Sequence, residues 1–121
     1  MVLNAGDLVS VDFPGVTGIK RSPAVILSSA TYHAIRPDII VGLITSQTKG
    51  LGATDYILQD WAEGGLRVES VFRSFIVTLP RSANIIQIGH LSERDWQAVR
   101  ACIKIAFADL DDRTLDRVDR L

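Results

Sequence analysis

Leu8, Ser10 and Asp12 alternate with Val9, Val11 and Phe13, a period of two that predicts a β-strand. Pro14-Gly15 and Thr17-Gly18 predict that the strand breaks there into a loop. Residues 23–28 form a second apolar strand, apolar enough to be central, and residues 29–37 read as a polar, irregular connection. Residues 38–45 predict a third strand, apolar on both faces over much of its length. The stretch 48–54 holds Gly50 and Gly52 and reads as a mobile loop, and a short strand follows over 55–58. Residues 59–65 make a turn-rich link, where Gly64-Gly65 can supply positive φ. Residues 70–79 are the longest strand candidate, ended by Pro80. Ile85, Ile86 and Ile88 make a last short strand, stopped by Gly89.

The period then changes. Ser92-Glu-Arg-Asp95 has the form of a capping box: the Ser92 hydroxyl accepts from the N–H of residue 95, while the Asp95 carboxylate reaches back. Trp96, Val99, Ile103 and Ala106 follow at helical spacing and form one apolar face. Residues 109–121, with Leu110, Leu115 and Val118, form a further short helix or fray. Short strands followed by one helix predict an α+β domain, a small antiparallel β-barrel with a C-terminal helix. Closing the sheet would remove its exposed edges.

Composition narrows the function. A chain of 121 residues, 47% hydrophobic and 22% charged, fits one domain over 1–121 with an ordinary core. No apolar run approaches the roughly 20 residues that span a bilayer, and residues 1–10 carry no secretory pattern. The expectation is a cytoplasmic protein without a membrane partner. The lone Cys102 lies in the helical pattern and reads as a buried thiol. The net charge of −1 excludes a globally basic nucleic-acid binder. Lys20, Arg21, Arg36 and Lys49 nevertheless cluster near predicted loops, and a local basic groove suffices to hold phosphates.

Five motifs occur in a telling order: Gly6-Asp7-Leu8-Val9, Lys20-Arg21-Ser22-Pro23-Ala24-Val25, Ile44-Thr45-Ser46-Gln47, Gly65-Leu66 with Ser70-Val71 and Arg73, and Ile88-Gly89-His90-Leu91-Ser92. Together they resemble the MazF/PemK toxins of type II toxin-antitoxin systems over residues 6 to 108. The resemblance implies an SH3-like, MazF/CcdB-like barrel, a sequence-specific endoribonuclease (mRNA interferase) cleaving single-stranded mRNA, and a homodimer. It also implies a cognate antitoxin, with DNA binding by the toxin-antitoxin complex, and no metal or other cofactor. The RNA's own 2′-OH would attack the adjacent phosphorus. That chemistry needs a base for the 2′-OH proton, a stabiliser of phosphorane charge and a donor to the leaving 5′-oxygen.

Arginine suits the charge-stabilising task because its planar guanidinium can give two parallel hydrogen bonds to phosphate. The family places that arginine directly before the proline, where this chain has Ser22. Arg21 is the nearest substitute, although alternation along a strand sends neighbouring residues to opposite faces. The resemblance also implicates Thr45 as a phosphate-holding hydroxyl and Arg73 as a phosphate stabiliser or proton donor. The acid that often stands two residues after that arginine is replaced by Phe75. The catalytic set is therefore Arg21, Ser22, Thr45 and Arg73. Asp12, Phe13, Lys20, Ser46, Gln47 and Tyr32 are the RNA-binding candidates, Tyr32 as an aromatic that stacks on bases. Each has a plainer alternative: a solvated loop pair for Lys20 and Arg21, strand ends for residues 45–47, an outward arginine for Arg73, and packing for Tyr32. His33 and His90 match no general catalytic position of the family and read as surface or capping residues. Two alternatives to the ribonuclease remain: a homologue that only binds RNA or antitoxin, and a CcdB-like poison of a protein target. The second conflicts with the chain end, Val118-Asp-Arg-Leu121, which lacks the terminal tryptophan of that branch.

Overall fold

The computed structural model describes residues 2–15 and 18–110. Six strands, β1 (Asp7–Gly15), β2 (Gly18–Ile26), β3 (Asp38–Thr45), β4 (Tyr56–Ile57), β5 (Val71–Pro80) and β6 (Ile86–His90), form one antiparallel sheet in the order β4-β5-β3-β2-β1-β6. The sheet curls into a half-barrel. A short helix, α1 (Ala30–Ile35), fills the connection expected to be irregular. Ser29 caps it, its hydroxyl accepting from the Tyr32 N–H at 3.2 Å. A longer helix, α2 (Glu93–Ala106), lies on one face of the sheet. The expected helix over 109–121 lies outside the described residues beyond a 3-10 turn at Ala108–Leu110.

Alternation sorts the core onto the two faces. Val9, Val11, Phe13, Ala24, Ile26, Ile39 and Val41 pack together on the face away from α2. Leu8, Val25, Ile44 and Phe72 pack with Val99 and Cys102 beneath the helix. Cys102 is buried as expected, and burial pushes its thiol pKa up, so it stays protonated at neutral pH. Gly42 has no side chain because the Phe72 ring crosses where its Cβ would lie.

Beyond shifts of one or two residues at other strand ends, the structure differs from the sequence reading at three places. Pro14 and Gly15 belong to β1 and residues 18–22 to β2, so Lys20 and Arg21 stand on a strand paired with Phe13 and Asp12. This long hairpin forms because every residue from Leu8 to Gly15 finds a partner across it. Gly89 does not stop β6, which runs to His90. Its lack of a Cβ lets the carbonyl oxygen of Gly64 approach. The third difference is inside β5. Gly42 pairs with Ile76 and Ile44 with Phe72, so Arg73, Ser74 and Phe75 all face the single Leu43. Ser74 takes φ 51° to make this bulge, and its hydroxyl donates to the Thr54 carbonyl at 2.5 Å.

The sheet edges are covered rather than joined by strand pairing. Residues 58–66 cross from β4 toward β6, pinned by the buried Asp95 of α2. The Asp95 carboxylate accepts from the Tyr56 hydroxyl at 2.7 Å, the Gln59 N–H at 3.0 Å and the Asp60 N–H at 2.8 Å. The capping box is thus half made: Ser92 accepts from the Asp95 N–H at 3.3 Å, but Asp95 turns to the crossing segment instead of reaching back. Asp60 completes the clasp, accepting from Ser92 at 2.6 Å and from Arg94 in a two-pronged pair at 2.7 Å. These donors lower the Asp60 pKa to about 2.

Candidate nucleic-acid groove

β2 pairs with β3 only over Ala24–Ile26, while β3 continues alongside β5 to Thr45. At Pro23, which has no N–H to offer a neighbour, the two strands part and a groove opens. Its larger part, a cavity of about 730 Å³, is lined by Phe13, Pro14, Lys20, Arg21, Ser22, Pro23, Leu43, Ile44, Thr45, Ser46, Val68, Ser70 and Phe75. A second part of about 430 Å³ shares Arg21, Ser22, Pro23, Val68 and Ser70 and extends past Arg67 to Ile88. Both volumes are in the range of roughly 300–1,000 Å³ that holds small ligands.

Arg21 lines both parts. It shares a strand face with Asp12, whose carboxylate accepts from Nη1 at 3.1 Å, and Nη2 donates to the Ser10 carbonyl at 3.0 Å. These two anchors fix the guanidinium plane. Its other N–H groups have no partner among the described residues and can be offered to a phosphate oxygen. Arg21 and Ser22, neighbours on β2, both line the groove. Asp12 serves here as the arginine's counter-charge. Lys20 adds an exposed cation.

Thr45 and Ser46 form the opposite wall. The Thr45 Oγ1 accepts from the Gln47 N–H at 3.2 Å, which holds the chain in a turn as it leaves β3. Gln47 itself does not line the groove. Arg73 is also outside it: its guanidinium donates to the carbonyls of Gln47 at 2.8 Å, Lys49 at 2.6 Å and Gly50 at 3.4 Å, and lies 3.6 Å from Asp55. The bulge of β5 aims it at the 47–50 loop. Tyr32 is at the other end of the sheet, on α1, where its hydroxyl donates to Asp38 at 3.0 Å. His33 links Ser28, 2.6 Å from its Nε2, to the Leu3 carbonyl, to which Nδ1 donates at 3.1 Å. The groove thus gathers Arg21, Ser22, Thr45, Phe13, Lys20 and Ser46, and leaves out Asp12, Arg73, Gln47 and Tyr32. Arg67, Val68 and Ser70 join it beyond the sequence expectation; the neighbouring Gly65-Leu66 is the local sign that points to them.

Arg73→Ala is expected to release the 47–50 loop while lowering overall stability by only about 1 kcal/mol, because water can replace the lost donors at exposed carbonyls. Trypsin should then cut after Lys49 several-fold faster, and Arg73→Lys should restore part of the protection. Peptide masses over a digestion time course measure this; unchanged cutting in the alanine variant would show that the arginine does not hold the loop.

A curled antiparallel half-barrel with a helix on one face, and a cleft lined by Lys20 and Arg21 where two strands separate, defines a small α+β domain. The sequence profile of the PemK-like, MazF-like toxin of type II toxin-antitoxin systems matches residues 4–107. The chain belongs to that family, whose members are endoribonuclease toxins. The fold is similar to MazF from Deinococcus radiodurans, with a TM-score of 0.73 and 26% identity over 89% of this chain and 98% of that one. It is similar also to the MazE-MazF structure from the same organism, with a TM-score of 0.70 and 27% identity over 88% and 95%. The Mycobacterium tuberculosis toxin MazF-mt6 matches with a TM-score of 0.66 and 28% identity over 84% and 98%. No curated protein sequence matches the chain.

Proposed function

We propose that this chain is a toxin that cleaves single-stranded RNA in the groove between β2 and β3, with Arg21 as the group that stabilises charge on the transferring phosphate. The observation that carries this is the anchored Arg21 guanidinium, facing Thr45 and Ser46 across a groove that also holds Lys20. In the proposed step the RNA 2′-oxygen bonds to phosphorus, and its proton passes to a base. The bond from phosphorus to the 5′-oxygen breaks, and that oxygen takes up a proton. The products are a 2′,3′-cyclic phosphate and a 5′-OH end, and no metal is required. Arg21 binds the non-bridging oxygens most strongly as their charge grows. Thr45 and Ser46 supply hydroxyls that orient the phosphate.

The solved relatives include MazE-MazF structures, which supports an antitoxin partner that neutralises this chain. A homodimer in the cytoplasm, and a single functional domain over 1–121, complete the proposal. Among the described residues, no helix is long and apolar enough to cross a membrane.

The test is cleavage of a long single-stranded RNA in EDTA by the chain as it stands and by Ser22→Arg, with product ends mapped. Cyclic-phosphate ends from the unmodified chain support the reading. Cleavage by Ser22→Arg alone makes this copy a detoxified toxin whose present role is binding. Cleavage by neither overturns the ribonuclease reading.

A further inference from the structure

Phe75 is more than half exposed, at 53%, although it lies on the strand that supplies the buried Phe72. Its exposure is built into the backbone. The bulge of β5 inserts Arg73, Ser74 and Phe75 opposite Leu43, and Ser74 holds φ 51°, a conformation uncommon for a residue with a Cβ. Bulges of this kind re-aim side chains beside functional sites. Here the bulge carries Phe75 into the wall of the groove that Lys20, Arg21 and Thr45 also line. One side of the ring rests on Phe13, with centroids 5.7 Å apart and planes tilted by 48°. Phe13 is buried, so it braces Phe75 from the core side and leaves the rest of the ring to the groove.

We propose that Phe75, backed by Phe13, is the platform on which an unpaired RNA base stacks, placing the neighbouring phosphate beside Arg21. The proposal rests on the RNA-cleaving reading and adds to it a residue that positions substrate. An aromatic face beside cations is the arrangement by which single strands are held: phosphates meet the charge while bases stack on the ring. The occupant is a single-stranded nucleic acid because Lys20 and Arg21 share the cavity with the ring.

The experiment compares two oligomers made with 2′-O-methyl riboses, which have no nucleophilic hydroxyl and are not cleaved: one of mixed base sequence, one abasic throughout. Binding is measured by fluorescence anisotropy for the unmodified chain, Phe75→Leu and Phe75→Tyr. The expected result is a loss of about tenfold in affinity for the base-bearing oligomer in Phe75→Leu, no change for the abasic one, and retention of affinity in Phe75→Tyr. Equal weakening for both oligomers, or no weakening for either, overturns the platform while leaving the ribonuclease reading in place. A change in sedimentation mass in Phe75→Leu would also overturn it, by placing the ring between copies of the chain. If the unmodified chain binds neither oligomer, the platform falls, and the cleavage assay alone decides the ribonuclease reading.

Discussion

Arg21→Ala is expected to slow RNA cleavage by about 10²–10³-fold, the usual consequence of deleting one preorganised donor to developing charge. Arg21 is the guanidinium that lines both parts of the groove near Thr45 and Ser46, whereas Arg73 is committed to backbone carbonyls of the 47–50 loop. Its two anchors, Asp12 and the Ser10 carbonyl, mean that little reorganisation is needed when phosphate arrives. Arg21→Lys keeps the charge but loses the planar fork, and should fall between the two. The fold should survive all of these changes. The pair with Asp12 is about one-third exposed on both sides, at 33% and 37%, and such pairs contribute at most about 1 kcal/mol. Single-turnover rates with a defined RNA, read beside thermal melts, separate chemistry from folding. Wild-type cleavage by Arg21→Ala would remove this residue from the mechanism and direct attention to Lys20 and Arg67.

The largest effect on stability is expected at Asp95. Its carboxylate is fully buried, at 0% exposure, and it joins α2 to the segment that crosses between the sheet edges. Asp95→Ala would strand the Tyr56 hydroxyl and the N–H groups of Gln59 and Asp60. The expected loss is about 3–4 kcal/mol, as for other broken buried networks. With a urea slope of about 1–3 kcal/mol/M, the midpoint of unfolding should fall by roughly 2 M. An unchanged midpoint would mean that the crossing segment contributes nothing to global stability.

The same network predicts an alkaline limit. Burial, and then the hydrogen bond to Asp95, raise the Tyr56 pKa from its ordinary 10.0 to about 12. A group whose folded pKa lies above its unfolded value contributes stability that is complete below the unfolded pKa and is lost as pH rises through the folded one. The contribution of Tyr56 is therefore intact below pH 10 and disappears toward pH 12. Denaturation curves across that window should show a decline that is shallower in Tyr56→Phe. Equal declines in the two proteins would assign the alkaline loss to other groups.

Much of this protein is written locally in the chain. Alternation from Leu8 to Phe13 and the apolar run of β3 predict strands that form where expected, and Ser92 caps the helix that follows. The motifs around Pro23 and Ile44-Thr45 mark the two walls of the groove by residue type and order alone. Local pattern misled where distant segments compete for the same groups. Asp95 has the spacing of a capping acid, yet the N–H groups of Gln59 and Asp60, more than thirty residues earlier, take its carboxylate. Pro14-Gly15 looks like a strand end, yet pairing with β2 carries the strand through it. The bulge at Ser74 depends on register between β3 and β5, and register is a relation between two strands that neither sequence holds alone. For that reason Arg73 leaves the groove and Phe75 enters it. The chain by itself determined which strands exist and which residue types could suit a phosphate; the pairing of those strands decided which of them line the groove.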